Sequence, residues 1–165
     1  MPIDLYSAAV RDQMLGKELG CSQWYVIDQQ RIDAFGRASD DIDPMHMDPE
    51  WTGRHSPYGT TIAYGFQTLS LLTHLLHDVI IRSPREAYKL NYGLDRVRML
   101  APVKVGSKVR AKVVLKSTRE RGPGQILCNF DISVEIQGEQ KPALVAEWLL
   151  LFVEQTERAA VAASV

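Results

Sequence analysis

Apolar and polar positions change period near the middle of the chain. Across residues 63–80, Phe66, Leu69, Leu71, Leu72, Leu75, Leu76, Val79 and Ile80 spread apolar side chains over nearly every side of a helical wheel. A helix that is apolar all round is buried all round, so the pattern predicts one long, enclosed helix. Beyond it, residues 90–100, 108–118, 126–136 and 143–153 are rich in Val, Ile, Leu and aromatics. Pro102, Gly106, Arg121-Gly122-Pro123-Gly124 and Gly138-Glu139-Gln140 separate these runs, which reads as four strands joined by turns. Val109, Ala111, Val113 and Leu115 alternate with Arg110, Lys112, Val114 and Lys116, giving one apolar and one largely polar face. The expected class is α+β, an antiparallel sheet wrapped around a long central helix.

The first sixty residues are less regular. Residues 5–16 suit a short helix ending at Gly16, and residues 21–27, with Trp24, Tyr25, Val26 and Ile27, suit a first strand. Asp28 is placed to cap a helix carrying Ile32, Phe35 and Ala38 on one face. That helix delivers the chain into residues 41–46. There Pro44 lacks an N–H and disfavours helix at Asp43, so a turn or loop is expected. Asp48 and Pro49 restart a helical turn, and residues 53–59 have loop composition. Residues 1–20 are read as an N-terminal extension and the Ala-rich residues 157–165 as a loosely ordered tail of a single domain spanning 1–165.

Composition narrows the function classes. A chain of 165 residues can bury roughly two-thirds of its unfolded surface in one core. Hydrophobic residues at 45% and charged residues at 24% are ordinary for a soluble globular protein. The net charge of −1 comes without clustered basic residues, which argues against nucleic acid as a partner. Gln67, His74, His77 and Asp78 interrupt the most apolar stretch, so no membrane span is expected. The first twenty residues lack a signal-peptide apolar run. Cys21 and Cys128 share no motif spacing and read as buried free thiols of a reducing, cytoplasmic compartment.

The candidate chemistry lies in Asp40-Asp41-Ile42-Asp43-Pro44-Met45-His46. A turn can aim the Asp41 carboxylate and the His46 imidazole at one water, and two groups that titrate in different ranges form an acid/base pair. Residue by residue, Asp41 also suits a helix-terminating carboxylate and His46 a satisfied half-buried histidine. The acidic residues 40, 41, 43 and 48 with His46 invite a metal reading, but Pro44 breaks the loop and no calcium-loop order follows. No metal and no cofactor are expected. His55 reads as a solvated loop residue, His74 and His77 as helix-face residues, and Arg96 and Arg98 as a solvated strand face.

Residues 39–49, preceded by Phe35 and followed by Thr61-Ile62-Ala63-Tyr64-Gly65-Phe66 and Thr68-Leu69-Ser70-Leu71, resemble the MaoC-like hydratases. These are the hot-dog-fold (R)-specific enoyl-CoA hydratases. Residues 90–103, from Leu90-Asn91-Tyr92-Gly93 to Val103, resemble the NodN-like branch of that family. The likeness runs from about Trp24 to Phe152. It implies a hot-dog fold, a homodimer or dimer of dimers, and an acyl-CoA or acyl carrier protein thioester as substrate. It implies Asp41 and His46 as the catalytic pair, Gly65 as the oxyanion-hole N–H, and Thr73 as a hydroxyl supporting the aspartate. Ile62, Ala63, Asn91, Tyr92 and Gly93 would meet the substrate. Two positions depart from the family pattern: Asp43 stands where Asn is usual, and Tyr64 where His is usual. Asp43 either raises the apparent pKa values of the pair or simply caps the turn before Pro44. Two other functions share this fold: a hot-dog acyl-CoA thioesterase and a non-catalytic acyl-binding subunit.

Overall fold

The computed structural model describes residues 3–80 and 82–155, so the expected tail at 157–165 lies outside the described residues. Its frame is an antiparallel sheet in the order β1-β4-β5-β6-β3, with β2 also paired to β4. The strands are β1 (Glu18–Cys21), β2 (Tyr25–Val26), β3 (Glu86–Met99), β4 (Lys108–Gly122), β5 (Gln125–Ile136) and β6 (Leu144–Glu154). The last four are the predicted strands; β3, β4 and β5 are longer than their apolar runs, and β6 matches its run in length, shifted by one residue. Backbone pairing carries β4 and β5 through Arg121 and Gly122 to a tight turn at Pro123-Gly124. Alternation works as expected on β4, where Val109, Ala111, Val113 and Leu115 are buried. Leu144, Ala146, Trp148, Leu150 and Phe152 of β6 line the same inner face.

Against that face lie α5 (Gly65–Ser70) and α6 (Leu72–Leu76), where the sequence predicts one helix over 63–80. The Ser70 hydroxyl donates to the Gln67 carbonyl at 2.8 Å, competing with the main-chain ladder and marking the break at Leu71. Nor is this helical pair enclosed on all sides. Leu72, Leu75 and Leu76 are buried, each worth about 1.5–3 kcal/mol of apolar transfer, but Phe66 is 72% exposed. An apolar pattern cannot distinguish a face turned to the core from one turned outward, and Phe66 is turned outward.

The N-terminal half shows three further differences. The strand expected over 21–27 is split into β1 and β2, both on β4; between them the Ser22 hydroxyl accepts from the Ala111 N–H at 2.9 Å. Residues read as an N-terminal extension pack into the body: Leu5 and Tyr6 are buried beside α1 (Ala8–Met14). The buried Arg11 guanidinium donates to the Leu5 and Tyr6 carbonyls and pairs with Glu120. Finally, α4 (Pro49–His55) runs through Gly53 into the expected loop, which places His55 in a helix with its Nδ1 3.0 Å from the Trp51 carbonyl. Cys128 is buried, whereas Cys21, expected to be buried, is only half-buried. No helix among the described residues is long and apolar enough to cross a membrane.

Candidate active site

The site is assembled by the end of α2 (Gln29–Ser39), a one-turn helix α3 (Pro44–Met47) and the entry to α5. Asp28 caps α2 by accepting from the Arg31 N–H. The helix closes with Asp40 in the left-handed region (φ 58°) and Asp41 N–H donating to Gly36 O at 3.0 Å. Pro44 does not produce the loop expected from its restrictions. It occupies the first position of α3, where its missing N–H costs nothing, and the Asp43 carboxylate caps that helix by accepting from the Met45 N–H at 2.7 Å. Asp48 does the same for α4, accepting from the Glu50 and Trp51 N–H groups. Two of the clustered carboxylates are thus helix caps rather than parts of one ligand set.

His46 is held on both sides. Its Nδ1 lies 2.7 Å from the Ile62 carbonyl oxygen. A carbonyl can only accept, so Nδ1 carries a proton and Nε2 is left for proton transfer. The Tyr64 ring lies against the imidazole, with centroids 3.8 Å apart, and packs also on Phe35. The Tyr64 hydroxyl donates to the Asp41 carbonyl at 2.5 Å. Burial, followed by the Asp41 charge, raises the phenol pKa, which keeps it a neutral donor. Tyr64 therefore ties together the two segments that carry the predicted pair.

Residues that sequence reasoning missed complete the support. The Gln29 amide donates to the His46 carbonyl at 2.8 Å and to Asp33 at 2.7 Å, and accepts from the fully buried Thr61 hydroxyl. Gly36 is required by close approach. A Cβ there would collide with the Tyr64 hydroxyl and sit 2.7 Å from Met47 Sδ and 3.1 Å from Asp41 O. Neither residue carries a signal in the sequence, because their partners come from other segments.

One cavity of about 340 Å³ brings together His46, Ile62, Ala63 and Gly65, with Thr68 and Met99 as further walls. Gly65 opens α5, so its N–H has no intrahelical acceptor, and a Cβ there would stand 3.0 Å from Met99 Cγ. Asp41 is exposed and is not part of this lining; it is linked to the cavity through its main chain and Tyr64. Tyr64 itself is almost wholly buried behind His46. Thr73, Asn91, Tyr92 and Gly93 line a different cavity, along the seam between the helices and β3. Arg96 takes a positive φ of 50° in the irregular stretch of β3 and pairs with Glu147, so it does not lie on a regular strand face.

The arrangement is one in which an imidazole of defined tautomer and the glycine that opens α5 line the same space. Such a cavity can hold a polarised carbonyl beside a group that exchanges a proton. The fold is that of hot-dog dehydratases. It superposes on the (R)-hydratase from A. caviae involved in PHA biosynthesis with a TM-score of 0.67 at 22% identity, covering 82% of this chain and 94% of that one. In sequence, residues 11–129 match the MaoC like domain family. Nodulation protein N of Rhizobium leguminosarum bv. viciae is 42% identical over 137 residues, 83% of this chain and 85% of that protein. The 3-hydroxyacyl-thioester dehydratase Z of Mycobacterium tuberculosis is 40% identical over 139 residues, 84% of this chain and 90% of its own length. The chain belongs to the MaoC-like dehydratase family, whose chemistry is that of hydro-lyases.

Proposed function

We propose that the protein hydrates trans-2-enoyl thioesters to (3R)-3-hydroxyacyl thioesters, or runs the reverse dehydration, with CoA or acyl carrier protein as the thiol. The observation that carries this reading is the His46 Nδ1–Ile62 carbonyl bond in a cavity shared with the Gly65 N–H. In hydration, the water oxygen bonds to the β-carbon as a proton leaves the water. The α-carbon receives a proton, and the thioester oxygen carries negative charge in between. In this reading His46 Nε2 exchanges a proton with the water, and Asp41, linked to the cavity through its main chain and Tyr64, is its partner. The Gly65 N–H receives the developing enolate oxygen. The (R) stereochemistry rests on the family resemblance.

Loss of enoyl absorbance from crotonyl-CoA tests the reading. Release of free CoA thiol without hydration would instead identify a thioesterase, and neither signal would leave an acyl-binding subunit. We also propose a homodimer formed along β3. This edge strand has 14 residues and exposes Tyr88, Leu90, Tyr92, Leu94 and Met99, with Phe66 exposed on α5. A long apolar edge calls for pairing or cover. A monomeric mass by light scattering at micromolar concentration refutes the dimer.

A further inference from the structure

Strand β3 carries an extra residue beside the site. Leu94 pairs with Trp148 and Asp95 with Glu147; the register then shifts, so that Arg98 stands opposite Val145 and Met99 opposite Leu144. On an unbroken ladder Arg98 would come opposite Leu144, whose side chain is buried on the inner face of the sheet. Successive side chains on a strand point to opposite faces, so the bulge turns Arg98 outward and Met99 inward. Arg96 takes up the irregularity with a φ of 50°, a conformation that costs any residue with a side chain. Strain of this kind persists only where the surrounding structure fixes it, and its result here is the placement of Met99.

Met99 lands on the glycine that opens α5. A Cβ on Gly65 would stand 3.0 Å from Met99 Cγ and 3.5 Å from its Cε, so the thioether chain lies in the space that a side chain at residue 65 would take. Met99 is also a wall of the cavity that holds His46. Edge-to-edge pairing of β3 across a dimer uses main-chain groups and leaves this inward side chain in place.

The consequence falls on one carbon of the substrate. An acyl carbonyl oxygen held at about 2.9 Å by the Gly65 N–H has the α-carbon two bonds away, beside the same glycine. A hydrogen on that carbon fits against the Met99 chain, whereas a methyl competes with it for the same volume. We propose that Met99 is a specificity-determining residue at the α-carbon: it admits straight-chain enoyl thioesters and disfavours those with a 2-methyl branch. The selection rests on the hydratase reading for its reaction and on the packing of Met99 over Gly65 for its binding. Because the methionine chain is unbranched and can swing, the exclusion is graded, about tenfold, at the lower end of what one carbon is worth in an apolar pocket.

The test compares crotonyl-CoA, its branched derivative (E)-2-methylbut-2-enoyl-CoA, and trans-2-hexenoyl-CoA, which is longer only at the far end. Met99→Ala is expected to raise kcat/KM for the branched substrate about tenfold relative to crotonyl-CoA, and to leave the hexenoyl-to-crotonyl ratio within about twofold. Met99→Leu, which keeps the volume, is expected to keep the wild-type ratios. No rise of the branched ratio in Met99→Ala, or an equal rise for hexenoyl-CoA, overturns the proposal and leaves the hydratase reading intact. If the wild type does not turn over crotonyl-CoA, the hydratase reading falls, and binding still decides the role of Met99. Calorimetry with saturated butyryl-CoA and both enantiomers of 2-methylbutyryl-CoA is expected to show about tenfold weaker binding of the branched chains by the wild type, recovered in Met99→Ala. A branched-chain penalty that persists in Met99→Ala overturns the proposal. Equal affinity of the wild type for straight and branched chains does so too, even where Met99→Ala fails to fold.

Discussion

Replacing Gly36 by Ala puts the tightest part of the site under direct test. Gly36 lies inside α2 with ordinary helical geometry, so Ala should improve the helix by about 1 kcal/mol if space were free. The space is not free. The new methyl meets the Tyr64 hydroxyl, Met47 Sδ and the Asp41 carbonyl at once, and the last of these is main chain. Overpacking of this kind costs about 1–3 kcal/mol, which outweighs the propensity gain or at least cancels it. Met47 can swing aside at small cost, because its side chain is unbranched. The Tyr64 hydroxyl cannot move without breaking its 2.5 Å bond to Asp41, so the strain should pass into the segment carrying Asp41 and His46. Gly36→Ala should therefore be neutral to destabilised by about 2 kcal/mol in urea unfolding and should lose hydration activity beyond its loss of fold. Tyr64→Phe removes the nearest obstacle while keeping the ring on His46. Alone it should cost about 1 kcal/mol for the lost hydrogen bond, and with Gly36→Ala the two costs should add to less than their sum. Stabilisation by Gly36→Ala with full activity refutes this account of the site, and so does strict additivity in the double variant.

Other substitutions separate chemistry from scaffolding. Asp41→Asn and His46→Ala should each lower turnover by orders of magnitude while circular dichroism and urea midpoints stay close to wild type, and the double variant should lose far less than the product of the singles. Near wild-type hydration in either single removes that residue from the pair. Asp43→Asn should leave the pH profile of kcat/KM superimposable on wild type, since an amide oxygen caps α3 at Met45 as well as a carboxylate does; a displaced profile at low salt contradicts this. Burial pushes the Cys128 thiol pKa up to about 12, so it should stay protonated and unreactive to thiol reagents between pH 7 and 9 until the protein unfolds. The half-buried Cys21 should be labelled first, and equal labelling rates in the folded state would refute the difference.

The strand block was legible because β4 alternates and the other three strands are apolar-rich runs, all of them separated by turn formers. The segment holding Asp41 and His46 was legible as a pattern, but its geometry was not. Pro44 was expected to prevent helix, whereas a proline is also the natural first residue of a new helix once a capping residue precedes it, and Asp43 supplies that cap. In the fold the Asp43 carboxylate is turned toward the Met45 N–H. The N-terminal strand was missed because Glu18-Leu19-Gly20-Cys21 is too short and too mixed to show a period, and only its pairing with β4 reveals it.

What no local pattern could show is the support behind the pair. Tyr64 reads in sequence only as a departure from the family's usual histidine. In the fold its ring presses on His46 and its hydroxyl holds the main chain of Asp41, 23 residues earlier. That arrangement explains why Gly36 must lack a side chain and why Gln29 and Thr61, far apart in the chain, share a hydrogen bond beneath His46. A histidine in place of Tyr64 could not reach as far with a neutral, non-titrating donor. The phenol, kept protonated by burial, lets the segment hold one geometry behind the imidazole. The site thus sets its imidazole against a ring whose hydroxyl stays a neutral donor.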